Sequence, residues 1–282
     1  MTKITSAKSS KKYLLKVEKK EYLLKVEKIG IRFGGLQAVS EFDLNLASGG
    51  LYGIIGPNGA GKTTVFNMLT GIYRPTEGSI LFKGKEWSEG KDMVGKKIHD
   101  FTAAGIGRTF QNVRLFKNLS ILENIEIALH RSVQYGLMSA LFRTSVMRRR
   151  EKEIQDKAIA LLKRLGLLSH LDKKASSLPY GLQRRLEIAR ALATSPTLLL
   201  LDEPAAGMNP QEIDQLIEDI RWIQDEFALT VLLIEHHMAL VMALCDDITV
   251  MNFGRIIAGG PPDAIKNDRT VVEAYLGKGG NF

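Results

Sequence analysis

The residues Gly56, Gly61, Lys62 and Thr63, inside "GPNGAGKTT", are spaced as G-x-x-x-x-G-K-[ST]. That spacing lets the backbone N–H groups of Gly56, Asn58, Gly59, Ala60 and Gly61, with Pro57 shaping the loop between them, wrap phosphate oxygens. Lys62 then reaches the β- and γ-phosphates, and the hydroxyl of Thr63, next to Thr64, holds Mg²⁺. A chance match in a chain this long is on the order of 1%. A nucleoside triphosphate is the expected ligand. Farther along, "TLLLLDEP" ends in two carboxylates. Asp202 is suited to hold the Mg²⁺ through water, and Glu203 to accept a proton from, or to orient, a water attacking the γ-phosphate. "TVLLIEHHM" delivers His236 and His237 in the same way. Adjacent strand residues point to opposite faces, so at most one of them is expected to face a nucleotide. No further His or Cys is spaced to make zinc the better reading.

Such groups need elements that deliver them to one place. Leu51 to Ile55 form a short apolar run, and Val65, Met68 and Leu69 beyond the glycine loop recur at helical spacing. Strand, loop and helix therefore follow in the required order. The four leucines before Asp202 describe a buried strand whose C-terminal end lies where open α/β sheets bind ligands. In "SLPYGLQRRLEIARAL", Leu182, Leu186, Ala189 and Leu192 recur on one helical face. Arg184, Arg185, Glu187 and Arg190 fall on the other, expected to be exposed. Pro179 and Gly181 open this helix and leave free N–H groups that attract anions, although most helices begin in some such way and bind nothing.

The chain has 282 residues, 45% of them apolar, enough for one large domain or two small ones. Its net charge of +8 invites a nucleic-acid reading, but residues 1–28 hold nine lysines and three glutamates, a net +6. That leaves +2 for the other 254 residues, so nucleic acid is not an expected partner. The lone Cys245 permits neither an internal disulfide nor a cysteine metal site. Apolar runs are far shorter than the ~20 residues of a membrane span. The lysines near the start precede no continuous apolar segment, so a soluble cytoplasmic chain is expected. "KKYLLKVEK" (11–19) is repeated as "KEYLLKVEK" (20–28), identical at eight of nine positions. Two copies cannot bury a solenoid core. The second is expected to form the first strand, and the first carries no assigned function.

Five segments, "GPNGAGKTT", "GRTFQNVRLF", "LPYGLQRRLEIARAL", "LLLLDEPAAGMNP" and "LLIEHHM", resemble in order and spacing the ATP-binding subunits of ABC transporters. The likeness runs from Glu21 to about Leu276. It implies an α/β fold: a RecA-like P-loop NTPase core, an antiparallel β region and an inserted α-helical subdomain. It implies that Phe33 stacks on adenine, that Gln111 touches Mg²⁺ and the attacking water, that Asn209 takes the D-loop aspartate position, and that His236 senses the γ-phosphate. It also places "LPYGL" at the signature L-S-G-G-Q, so Gly181 would face the ATP held by a second ATPase subunit. Pro179, Tyr180 and Leu182 depart from that signature, and Pro179 lacks the hydroxyl that would bond the γ-phosphate. Pro179 and Asn209 leave open a regulatory ATP binder without turnover.

On this reading residues 1–20 are a tail, residues 21–260 one ATPase domain and residues 261–282 a C-terminal segment. The core is 21–111 with 186–260, and the helical subdomain 112–185. With one phosphate loop and no coiled-coil heptads, the chromosome-maintenance and ribosome-associated relatives fit less well. "FQNVRLFKNLSILENI", the extra segment "RSVQYGLMSALFRTSVMRRREKEI" and the ending "VVEAYLG" resemble the ATPases of branched-chain amino acid importers. Lipopolysaccharide-export ATPases share much of this. The extra segment reads as helix, with Arg148 to Arg150 as a basic run. Leu115, Phe116 and Leu119 suit either a groove for a permease helix or core packing. The resemblance implies a peripheral protein on the cytoplasmic membrane face, with permease subunits, a homo- or heterodimeric ATPase pair and, indirectly, a substrate-binding protein.

Overall fold

The computed structural model describes residues 22–84, 90–130 and 145–276. The first copy of the repeat, the first part of the extra segment and residues 277–282 lie outside them. The second copy of the repeat does enter a strand. Its apolar positions run into β1 (Tyr22–Phe33), which turns through Gly34 and Gly35 into β2 (Leu36–Ala47). Phe33 pairs with Leu36, so only those two glycines form the turn, and Gly34 has a positive φ of 57°. β4 (Glu77–Phe82) and β5 (Lys91–Asp92) complete an antiparallel sheet in the order β2-β1-β4-β5.

The second sheet has the order β10-β9-β3-β8-β7-β6. Its strands are β3 (Leu51–Ile55), β6 (Ile106–Arg108), β7 (Leu198–Asp202), β8 (Thr230–Ile234), β9 (Asp247–Asn252) and β10 (Arg255–Gly260). All pairings are parallel except that of β9 with the edge strand β10. β7 and β8 are buried throughout, as unbroken Leu, Val and Ile runs require of parallel strands covered on both faces. Along β7 the side chains alternate between two cores. Leu198 and Leu200 join one with Phe66, Val65 and the antiparallel sheet, and Leu199 and Leu201 join the other.

The first core includes α1 (Lys62–Leu69) and Phe101 of α2 (Ile98–Ala104). The other gathers α3 (Ile121–His130), α4 (Ser145–Arg164), α5 (Tyr180–Ala193) and α6 (Pro210–Phe227). The short α7 (Met238–Leu244) and α8 (Pro262–Lys266) contribute to it, and α9 (Arg269–Leu276) adds Val271. Helix α4 covers the second part of the extra segment, where Arg149 is exposed and pairs with Glu153 one turn on. Among the described residues no helix is long and apolar enough to cross a membrane. Because β3, β7 and β8 run parallel, the loops after all three emerge at one edge of the sheet.

Cys245 is buried, and burial pushes its thiol up to about 12. At the start of β9, burial pushes the Asp247 carboxyl from 3.8 up to about 6. The folded state therefore holds this proton more tightly than the unfolded chain. Stability from it is complete below about pH 4 and is lost as the pH rises through about 6. Asp247→Asn removes the charge, so its melting temperature should exceed the parent's by a few degrees at pH 8. Thermal scans should show that gap closing as the pH falls to about 4, and a pH-independent gap would exclude Asp247 as the source.

Candidate active site

The glycine loop leaves β3 with Gly56 at φ 151°, where an added Cβ would lie 2.1 Å from the Met251 carbonyl oxygen on β9. Only glycine lets the loop turn this close to the neighbouring strand. Gly61 caps α1 at φ 99°, a left-handed conformation that again favours glycine. The loop is braced from both sides. Ala60 N–H donates to Pro57 O at 3.1 Å, and Gly254 N–H, from the β9–β10 turn, donates to Ala60 O at 3.0 Å. Asn58, Gly59 and Thr63 face solvent, while Ala60 and Lys62 are buried and Thr64 is half-buried. The first turn of α1 holds no acidic side chain, so its N-terminal dipole is free to favour an anion.

Lys62 Nζ donates to Gly56 O at 2.6 Å and to Pro57 O at 3.0 Å, both loop carbonyls. Burial lowers its pKa, while the Glu203 and Asp202 carboxylates oppose that shift. The ammonium is thus held at the loop with anions nearby and is suited to move onto phosphate oxygens.

Asp202 ends β7 and is buried. Its Oδ2 accepts from Arg108 Nη2 at 2.9 Å, and that guanidinium also reaches Asn67 Oδ1 and Thr70 Oγ1 on the α1 side, at 2.9 and 2.8 Å. The rings of Phe66 and Phe110 lie 5.7 and 5.0 Å from it. Burial raises the Asp202 pKa, and Arg108 works against that. Asp202 Oδ1 is buried without a hydrogen-bond partner among the described residues. A buried carboxylate oxygen with lone pairs unused among the described residues is the kind of donor that fits a hard divalent cation.

Glu203 follows at φ 45°, a left-handed conformation unusual for a non-glycine residue, held by its N–H on Ile234 O at 2.9 Å. Its Oε2 accepts from Gln111 Nε2 at 2.9 Å and lies 3.8 Å from His236 Nδ1. Three residues far apart in sequence thus converge: Gln111, Glu203 and His236. The histidines are not on a strand, contrary to expectation. β8 stops at Ile234, and both His236 and His237 are exposed, with His237 at the cap of α7. The chain must leave the sheet here because Glu235, fully buried, draws in the N–H groups of Ala205, His236 and His237 at 2.8, 2.9 and 3.1 Å.

Sequence reasoning assigned no role to Glu235 or Arg108. The available signal for Glu235 was an acid continuing an apolar run directly after β8. The expected exposed face of α5 also needs correction, because Arg184 and Glu187 are buried. Their 2.8 Å ion pair and several backbone partners satisfy charges that would otherwise require water. Leu186, Ala189 and Leu192 are buried as expected, and Leu182 half-buried.

α5 opens at Pro179, with φ −53° and ψ 151°, and no side chain caps it. Gly181 lies against Glu212, whose Oε1 is 2.9 Å from where a Cβ would stand. Asn209 meets the same glutamate: its side chain accepts from Glu212 N–H at 3.0 Å, capping α6. Gly181 and Asn209 therefore gather at Glu212. Phe33 is 44% exposed rather than packed in the core and meets Tyr73 edge to face at 5.2 Å between centroids. Leu115 packs against the core, while Phe116 is exposed under the Arg190 guanidinium at 4.9 Å.

A family model described as ABC transporter matches residues 39–206, and one described as branched-chain amino acid ATP-binding cassette transporter matches residues 255–281. The chain is 47% identical over 248 residues to the high-affinity branched-chain amino acid transport ATP-binding protein LivG of Escherichia coli (strain K12), covering 88% of this chain and 95% of that protein. It is 46% identical, with the same coverage, to the corresponding protein BraF of Pseudomonas aeruginosa. A crystal structure of an ATP-binding cassette of an ABC transporter in its ADP conformation superposes with a TM-score of 0.77 at 31% identity, covering 91% of this chain and 99% of that one. Matched through more than half its residues to that first family model and along nearly the full length of these relatives, the chain belongs to the ABC transporter family, as an ATP-binding subunit and an ATPase.

Proposed function

We propose that this ATPase drives uptake of branched-chain amino acids, bound peripherally to permease subunits at the cytoplasmic face of a membrane and paired with a second ATPase subunit. The observation that carries the proposal is the likeness at both levels. The relatives at 46–47% identity are branched-chain amino acid transport ATP-binding proteins, and the C-terminal match at 255–281 carries the same description. A binding protein would deliver the cargo to the permease. Residues 21–111 with 186–260 act as the nucleotide-binding core, and 112–185 as the helical arm.

In this mechanism the N–H groups of Gly56, Asn58, Gly59, Ala60 and Gly61 and the Lys62 ammonium bind the triphosphate, with Pro57 shaping the loop, and Phe33 stacks on the base. Thr63, Gln111 and Asp202 are the residues that would hold Mg²⁺, which would supply positive charge to offset the charge developing on the phosphates. Glu203 accepts the proton of the attacking water, with Gln111 and His236 setting its carboxylate and sensing the γ-phosphate. Gly181 offers the N-terminus of α5 to the nucleotide on the second subunit. ATP favours the closed pair, hydrolysis reopens it, and the permease converts that shift into alternating access.

Proteoliposomes holding the complete transporter should accumulate labelled leucine, isoleucine and valine only when ATP is supplied on the ATPase side. Transport of an unrelated solute with none of these three would overturn the cargo assignment. Glu203→Gln should bind ATP as the parent does, lower kcat by about 100-fold or more, and persist as a nucleotide-bound dimer on gel filtration. Turnover at the parent rate would remove Glu203 from the role of base. Pro179→Ser restores the hydroxyl missing at the mouth of α5. A charge-assisted hydrogen bond contributes about 1.5–3 kcal/mol, so ATP-dependent dimerisation should tighten by about tenfold or more, read by analytical ultracentrifugation.

A further inference from the structure

We infer that Arg184 and Glu187 form a positioning device that fixes the backbone on either side of Gln111, and the carbonyl of Glu203, to the helix that Gly181 opens. The inference rests on the ATPase reading above and extends it to two residues to which that reading gives no part.

Arg184 has no exposed surface, yet its planar fork serves three segments at once. Nη1 donates to Phe110 O at 2.5 Å and to Glu187 Oε2 at 2.8 Å. Nη2 donates to Gln111 O at 2.8 Å and Glu203 O at 3.2 Å, with the Tyr180 hydroxyl at 3.4 Å. Glu187 holds the same loop from its other side. Its Oε1 accepts from Phe110 N–H at 3.2 Å and from Arg114 N–H at 3.1 Å. The pair thus grips the loop at residues 110, 111 and 114 and the turn at 203, whose side chains of Gln111 and Glu203 meet at 2.9 Å.

Both charges sit on α5 within one turn of each other and within two turns of Gly181. A movement of α5 along or about its axis therefore carries the carbonyls of Gln111 and Glu203 with it. Stability alone supplies no reason for this arrangement. A buried ion pair is often neutral or inferior to apolar side chains of similar volume, and here Arg184 Nε is left buried without a partner among the described residues. The chemistry of the fork supplies one, because a guanidinium can direct several donors at fixed angles to several carbonyls, and an ammonium cannot.

The test uses the complete transporter with Arg184→Met/Glu187→Met, which removes both charges together and leaves neither unpaired. We expect the double variant to fold, to keep its ATP dissociation constant within about twofold of the parent, and to lose kcat by about 10- to 100-fold, because an error of about 1 Å in placing reacting groups can cost that much. Arg184→Lys should do the same in kcat, since the conservative charge does not restore the fork. It carries the test should the double variant fail to fold. A folded variant that turns over at the parent rate overturns the inference. So does a fall in ATP affinity that accounts for the whole fall in rate, because that marks general damage rather than misplaced groups. A parent transporter that hydrolyses no ATP would instead sink the functional reading on which the inference rests.

Discussion

Strand β7 is buried on both faces, and that constraint sets the position of everything at the site. Leu198 to Leu201 are fully buried, two facing each core, so the strand has no side on which a polar group could emerge before its end. Fully burying each such side chain is worth roughly 1.5–3 kcal/mol, which makes the strand's register expensive to shift. A slip by one residue would exchange the two cores and carry Asp202 to the opposite face. The parallel pairing with β8, and through it with β3, then delivers the glycine loop, Asp202 and Glu235 to one edge.

At that edge the polar groups that matter most are also buried, and they act chiefly on backbone. Arg108 ties Asp202 to α1, Arg184 and Glu187 hold residues 110, 111, 114 and 203, and Glu235 collects the N–H groups of Ala205, His236 and His237. In a low dielectric each of these bonds is stronger than in water, and each unpaired group is correspondingly costly. The loops carrying Gln111 and Glu203 reach the core through only a few side chains, Leu115 and Ala205 among them. Charges fixed to the sheet and to α5 add to that packing by holding the backbone of residues 110, 111, 114 and 203.

The fold's phosphate-binding half was legible because its residues obey local rules. Glycines at positive φ, an unbroken leucine run and a strand-loop-helix order each follow from one stretch of chain, and the structure places Gly56, Gly61 and Asp202 accordingly. The chemistry of Gln111 and His236 was not readable from spacing and came from resemblance, since their meeting at Glu203 depends on three separate loops. Arg184 and Glu187 were misassigned for a related reason. Helical periodicity sorts residues by polarity and sends charges to solvent, whereas a fork with carbonyls on two neighbouring loops is stable inside. The histidines were misplaced by one assumption, that an apolar run and the polar residues after it share a strand. Buried Glu235 ends the strand early by drawing in three N–H groups.

Asp202 shows how far the protein has committed the site in advance. Its two oxygens are not equivalent: Arg108 engages Oδ2, and Oδ1 is buried with no hydrogen-bond partner among the described residues. Burial favours the protonated acid, and the guanidinium at 2.9 Å favours the carboxylate. A cation approaching Oδ1 would add to the second effect without displacing Arg108, so the carboxylate need not rotate to receive it. The same guanidinium is anchored to Asn67 and Thr70 beside the α1 that the glycine loop feeds. The free oxygen is thereby held in register with the phosphate loop by a contact that neither phosphate nor metal has to form.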